Sequence, residues 1–254
     1  MPTRLSVNIN KYALLRNSRG HDTPNLLAAA DTCLRAGAHG ITVHPRRDER
    51  HVRLDDVAPL AAHLRERWPG VEYNIECEDH PDLVALVLAV RPDQCTLVPV
   101  RPGEVTSDHG WDPIHERDRL RRSIEPLREA GVRVSCFSDC EPATIEAFAA
   151  TGTDRVELYT GPYAWAWGTT DQHDWVDRMA RCARSALAVG LGLNAGHDLD
   201  RHNLAGVRDL PGLLEVSIGH AQICRALEVG TTRSVQELLA ALGHLVESSW
   251  VEAG

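Results

Sequence analysis

Residues 128–137, REAGVRVSCF, run from helical residues through one glycine into an apolar stretch of strand length. Glycine takes the left-handed C′ conformation without a Cβ penalty, so the string reads as a helix stop followed by a strand start. The same junction returns as RAGAHGITVH at 35–44, ATGTDRVELY at 150–159 and AVGLGLNAGH at 188–197. Four copies make a weak internal repeat of a helix-then-strand unit. Outward from these junctions, strand-length runs recur at Leu5–Asn10, Gly40–His44, Tyr73–Glu76, Gln94–Val98, Arg133–Phe137, Arg155–Tyr159, Leu191–Asn194 and Leu214–Ile218. Most read as continuously apolar, as strands covered on both faces do. Helical periodicity fills the intervals at Asn25–Arg35, Asp55–Trp68, Asp82–Val90, Glu116–Ala130, Pro142–Ala150 and Asp174–Val189, and Ala221–Leu227 supplies a short helix after the last strand. Thr23-Pro24 reads as an N-cap followed by proline at the first helical position. Eight strands alternating with helices over 254 residues predict an α/β fold, a (β/α)8 barrel with additional helices. A doubly wound sheet is the runner-up, and with no linker or composition break residues 1–254 form one domain.

The composition sets the company the protein keeps. Hydrophobic residues at 43% and charged residues at 25% are those of an ordinary soluble globular chain, which excludes disorder, collagen-like repeats and a small disulfide scaffold. Acidic residues outnumber basic ones, 36 to 27, and no basic block offers a landing strip to nucleic acid. No apolar run approaches the roughly 18 residues of a membrane span, and the opening MPTRLSVNIN lacks a signal-peptide core. Seven scattered cysteines without a CxxC pair suggest reduced thiols in a cytoplasm, with no zinc site. Lys11 is the only lysine among 27 basic residues.

In a barrel of this class the chemistry sits at the C-terminal ends of the strands. There the chain places Asn8, Asn10 and Lys11; His44, Arg46 and His51; Asn74 and Glu76; Arg101 and Thr106; Asp139; Glu157 and Thr160; Asn194 and His197; and Gly219 with His220. Polar groups at nearly every strand exit are costly to bury together unless a ligand satisfies them. His44, His197 and His220 stand at strand exits, whereas His21, His63, His80, His115, His173 and His244 read as surface or structural histidines. Glu76 is a general acid/base if burial lifts its pKa, or else an ion-pair partner for an arginine. The loops Asn194-Ala195-Gly196-His197 and Ser217-Ile218-Gly219-His220-Ala221 put glycine directly after a strand, the pattern of a phosphate site after strands 7 and 8. Arg19, Arg46 and His51 are candidates for a second anion. GxGxxG and P-loop patterns are absent, which leaves nucleotide binding unsupported. The loop Arg101–Asp112 is either a lid over the site or a solvated connection. Trp165, Trp167 and Trp175 fall in one loop and suggest a subunit interface.

Taken as a set, VNIN…LLRNSRG, GITVHPRRDERHV, Asn74-Ile75-Glu76, LVPVRPGEVT, LNAGH…HN and SIGHAQICRA resemble the pyridoxine 5′-phosphate synthase family over nearly the whole chain. The resemblance implies a (β/α)8 barrel with extra helices, assembled as a homo-oligomer between dimer and octamer. It implies condensation of 3-amino-2-oxopropyl phosphate with 1-deoxy-D-xylulose 5-phosphate, closing a pyridine ring with loss of phosphate and water and with no metal or organic cofactor. Asn8, Arg19, His44, Arg46, His51, Glu76, Thr106, His197, Gly219 and His220 match family binding or catalytic positions, with His44, Glu76 and His197 as acid/base groups. Asn10, Asn194, Gly196 and Asp198 join the substrate contacts. The chain departs from the family where Asn10-Lys11 replaces Asp-His, Val100 replaces Glu and Asp198 replaces Gly. Lys11 is therefore a candidate for contact with a substrate carbonyl or phosphate, and a lysine, unlike an arginine, is open to a Schiff base. A Lys11 aldolase or lyase, and a non-catalytic sugar-phosphate binder, are the alternative readings.

Overall fold

A computed structural model describes residues 2–101, 103–104 and 106–246. Eight parallel strands close into a barrel in sequence order: β1 (Arg4–Asn8), β2 (Gly40–Val43), β3 (Glu72–Cys77), β4 (Gln94–Leu97), β5 (Arg133–Ser138), β6 (Arg155–Tyr159), β7 (Gly192–Gly196) and β8 (Leu213–Ile218). The ring is sealed by β1 against β8, with Arg4 opposite Glu215 and Val7 opposite Ile218. The helices are α1 (Asn10–Asn17), α2 (Leu26–Arg35), α3 (Leu54–Arg67), α4 (Pro81–Val90), α5 (Arg117–Glu129), α6 (Pro142–Ile145), α7 (Gly161–Ala166), α8 (Gln172–Ala188), α9 (His220–Val229) and α10 (Thr231–Ala241). The four junction glycines, Gly37, Gly131, Gly152 and Gly190, all take positive φ.

The core lies between the sheet and the helices rather than inside the barrel. Successive strand residues point to opposite faces, and in β1 Leu5 and Val7 join the apolar core while Ser6 faces the lumen and bonds the Thr42 hydroxyl at 2.7 Å. Asn74 continues this polar girdle to Thr42 at 3.3 Å, and Thr96 reaches Asn74 at 3.2 Å. Below it, Arg133 pairs with Glu72 at 2.6 Å, and Arg155 bonds Asn194 at 3.1 Å. The strands thus alternate, apolar outward and polar inward, which corrects the reading of continuous apolar runs. Only at the mouth does the lumen turn apolar, where Val98, Phe137 and Tyr159 form a small separate cluster.

Three helices lie beyond the sequence reading. In α1 the buried face is Tyr12, Ala13 and Arg16, so an arginine occupies an apolar position. Its guanidinium is clamped by both carboxylate oxygens of Asp56 at 2.6 and 2.8 Å, which ties α1 to α3. The helix α7 has six residues and starts directly after β6, and α10 follows α9 at once. The cap of α2 is also corrected. It is Asn25, whose Oδ1 accepts from the Ala28 N–H at 2.9 Å, and Thr23-Pro24 lies before it. The expected helix at Pro142–Ala150 is split into α6 and a 3-10 turn at Glu146–Thr151.

Candidate active site

The strand exits meet at one mouth. His44, just past β2, places Nδ1 3.2 Å from Oε2 of Glu76 on β3. The Nδ2 of Asn8 reaches both Glu76 oxygens at 3.4 and 3.5 Å. Asn8 in turn accepts from the Asn10 N–H at 3.0 Å, and Asn10 Oδ1 accepts from the His44 N–H at 2.8 Å. Asn10 is therefore a backbone brace between β1 and β2, a role its amide fills without a carboxylate. The other imidazole nitrogen of His44, Nε2, is buried without a hydrogen-bond partner among the described residues.

His197 stands on the opposite side, its ring 5.3 Å edge-on from Tyr159 and 5.8 Å from Phe137. Burial lowers its pKa and outweighs the opposing pull of Asp198 and Glu76, which favours a neutral imidazole. The backbone at His197 and Asp198 is left-handed, with φ of 83° and 56°, a conformation held only where the surroundings over-determine it. Here the Thr160 hydroxyl lies 2.6 Å from the Gly196 carbonyl oxygen and 2.5 Å from that of His197. Asn203 Nδ2 donates to the Asp198 carbonyl at 2.9 Å. Aspartate is one of the few non-glycine residues that tolerates this region, which explains how Asp198 fits this turn.

Beside Gly196 lies buried Glu157, whose pKa is pushed well above the ordinary range by burial and by the nearby Glu76 and Glu215 carboxylates. Gly196 lies flat on it, because a Cβ there would sit 2.3 Å from Glu157 Oε1. Gly219 is pressed against β1 in the same way, a Cβ meeting the Asn8 carbonyl oxygen at 2.9 Å.

The side of the mouth beside β2 holds buried Arg46 and His51. Burial, then the charges of His44, Arg46, Lys11 and Arg50, pushes His51 down to about 3, and its Nδ1 accepts from the Val52 N–H at 2.9 Å. Lys11 is partly buried in the first turn of α1 and bears electrostatically on both His51 and His197. Thr106, on the segment after β4, reaches His197 Nε2 at 3.3 Å. Pro102 and Val105, within the expected lid, lie outside the described residues.

Several expected contacts fall elsewhere. Asn194 is inside the barrel below the mouth, donating to Gln94 and accepting from Arg155, because β7 points residues 192, 194 and 196 inward and only the last reaches the top. The His220 side chain is exposed and turns toward Cys224 at 3.6 Å, lining an outer cavity of about 370 Å3 with α9 and α10. Arg19 is exposed just beyond the end of α1. Of the three loop tryptophans, Trp165 is exposed while Trp167 and Trp175 pack against the core. Glu104, Phe137 and Tyr159 lay outside the expected set. The alternation of RVELY is the sequence signal for Tyr159, and Glu104 carries none beyond its place in the Arg101–Asp112 loop.

A closed (β/α)8 barrel whose mouth sets an imidazole–carboxylate pair opposite a second imidazole defines an acid/base enzyme. The family model described as pyridoxal phosphate biosynthesis protein PdxJ matches residues 5–244. A pyridoxine 5′-phosphate synthase of Albidiferax ferrireducens is 49% identical over 250 residues, covering 96% of this chain and 99% of the relative. One from Xanthomonas axonopodis pv. citri is 48% identical over 255 residues, covering 96% and 99%. The chain belongs to this pyridoxine 5′-phosphate synthase family and is an enzyme of that synthase type. Among solved structures, a mutant tryptophan synthase α-subunit of Pyrococcus furiosus superposes with a TM-score of 0.64 at 14% identity, covering 94% and 100% of the two chains. A phosphoribosylanthranilate isomerase from Thermotoga maritima gives 0.57 at 12% identity, covering 96% and 100%, and these likenesses concern the barrel alone.

Proposed function

We propose that the protein condenses 3-amino-2-oxopropyl phosphate with 1-deoxy-D-xylulose 5-phosphate to form pyridoxine 5′-phosphate, releasing phosphate and water. The single observation that carries the reading is the His44–Glu76 pair at 3.2 Å facing His197 across a mouth walled by Phe137 and Tyr159. Imine formation, enolisation and dehydration each move protons on and off a flattening intermediate, and groups on both of its faces serve those transfers. His44, oriented by Glu76, serves one face and neutral His197 the other, while the aromatic wall accepts the forming ring. Arg46, His51, Thr106 and Lys11 surround one phosphate. The turn at Gly219, where α9 begins beside Asn8, receives the second through backbone N–H groups. Asp198 and Gly196 border the reacting centre from β7.

The protein acts as a homo-oligomer, from dimer to octamer, in the cytoplasm, and among the described residues no helix is long and apolar enough to cross a membrane. Light scattering on the purified protein measures the assembly. For the reaction itself, the two substrates are mixed with enzyme, phosphate release is followed and the product is weighed by mass spectrometry. Pyridoxine 5′-phosphate with one phosphate per turnover is expected, and its absence overturns the substrate assignment. Borohydride added to the same mixture should leave Lys11 unmodified if its contact is ionic, whereas a trapped adduct makes it covalent.

A further inference from the structure

We infer that Glu104 is a positioning residue that aims the Arg46 guanidinium at a substrate phosphate and ties the segment after β4 to the β2 exit; this rests on reading Arg46 as an anion contact. The carboxylate Oε1 of Glu104 receives one N–H of Arg46 Nη2 at 2.7 Å, and both side chains are 7% exposed. Among the described residues the Nε and Nη1 groups of Arg46 have no protein partner, so most of its donor fork is left over. A planar fork with one corner pinned keeps its remaining donors in a fixed plane, the arrangement that suits a tetrahedral oxyanion.

The rest of Glu104 is equally committed. Its Oε2 accepts from the Arg101 N–H at 3.0 Å and lies 3.9 Å from His109 Nδ1. Its carbonyl oxygen accepts from Arg50 Nη1 at 3.1 Å, and Arg50 is itself clamped by Asp48. Two residues further on, Thr106 meets His197. Glu104 is thus where the β2 loop and the segment after β4 are joined.

Two effects of the carboxylate oppose each other. Its charge repels a phosphate, while its hydrogen bond holds the guanidinium in place; the inference is that holding wins. Glu104→Gln keeps an acceptor oxygen and removes the charge, whereas Glu104→Ala removes both. For at least one of the two phosphorylated substrates, Glu104→Ala should raise KM about tenfold or more with kcat within about threefold, and Glu104→Gln should restore KM to within about threefold of wild type. An unchanged KM in Glu104→Ala overturns the inference, and a lowered KM in either variant makes Glu104 a competitor of substrate instead. Should the alanine variant not fold, Glu104→Asp carries the same test, because it keeps the charge but withdraws the oxygens, and a KM equal to wild type overturns the inference.

Calorimetric titration with inorganic phosphate separates this inference from the reading beneath it. If Arg46→Ala binds phosphate as wild type does, the assignment of Arg46 itself fails. If Arg46→Ala loses phosphate while Glu104→Ala keeps it, only the role of Glu104 fails. Parallel weakening in Arg46→Ala and Glu104→Ala, with binding kept in Glu104→Gln, is the expected result.

Discussion

The division of labour at the mouth turns on protons held by single residues. Among the described residues the Glu76 carboxylate bonds His44 and Asn8, so Glu76→Gln keeps the shape and the Asn8 contact while removing the charge that orients and supports the imidazole. A fall in kcat of about 10²- to 10⁴-fold is expected with little change in melting midpoint, and a kcat within threefold of wild type would remove the pair from the chemistry. His51 makes a stability prediction. In the folded protein its pKa is about 3 against 6.5 for a free imidazole, so between those values the unfolded chain binds the extra proton. Stability is then fully present above pH 6.5 and is lost as pH falls toward 3. Urea midpoints should drop between pH 6.5 and 4, and the drop should be shallower in His51→Asn, whose amide oxygen can still accept a hydrogen bond without titrating.

At the scale of elements, the strand exits are built by close backbone approach. Gly219 ends β8 against Asn8, with space for no Cβ: the Asn8 carbonyl oxygen would be 2.9 Å away and its Cβ 3.0 Å. Because backbone rather than a side-chain tip is in the way, Gly219→Ala must push β8 from β1 and move the Asn8 amide off Glu76. The expected loss is about 1–3 kcal/mol of stability together with a lower kcat, read by urea denaturation and phosphate release. The strands themselves were legible in the sequence, all eight within a residue or two, because outward aliphatics and glycine stops mark them. Their inward faces were less so. In RVELY and EYNIEC the alternation is present, but runs this short with few polar residues read equally as strands buried on both faces, so the inward direction of Glu157 and the depth of Asn194 in the barrel are not marked. The helix α1 escaped because Arg16 breaks its apolar stripe, and the position becomes tolerable through Asp56, 40 residues away, together with the adjacent Asn17. The His44–Glu76–His197 set was legible because strand exits are visible in sequence. The Glu104–Arg46 link was not, because it joins two loops of different strands, and the outward turn of the His220 ring depends on packing that no local pattern encodes.

Across the whole molecule the polar lumen couples the barrel to pH in the opposite sense to His51. Glu215 is pushed up to about 8 by burial and by the adjacent Glu72 carboxylate, whereas Glu72 is held low by Arg133 and Arg155. The pair therefore shares one proton across the floor of the barrel, where Arg4 also reaches Glu72 at 3.4 Å. The folded state binds a proton that an unfolded glutamate releases near 4.5, so stability falls as pH rises from there through about 8. Glu215→Gln, permanently neutral, should flatten the alkaline limb of midpoint against pH, and an alkaline limb as steep as wild type would show the proton to be held elsewhere.

A barrel lined in this way also changes how the protein responds to temperature. Aliphatic side chains exposed on unfolding raise the heat capacity, and polar groups lower it. Ser6, Thr42, Asn74, Thr96, Ser135 and Glu157 occupy places that other barrels give to valine, isoleucine and leucine. Scanning calorimetry should return a heat-capacity increment below the roughly 12–15 cal/mol/K per residue of ordinary globular proteins. A small increment broadens the dome of stability, so that cooling and warming away from its maximum weaken the fold only gradually.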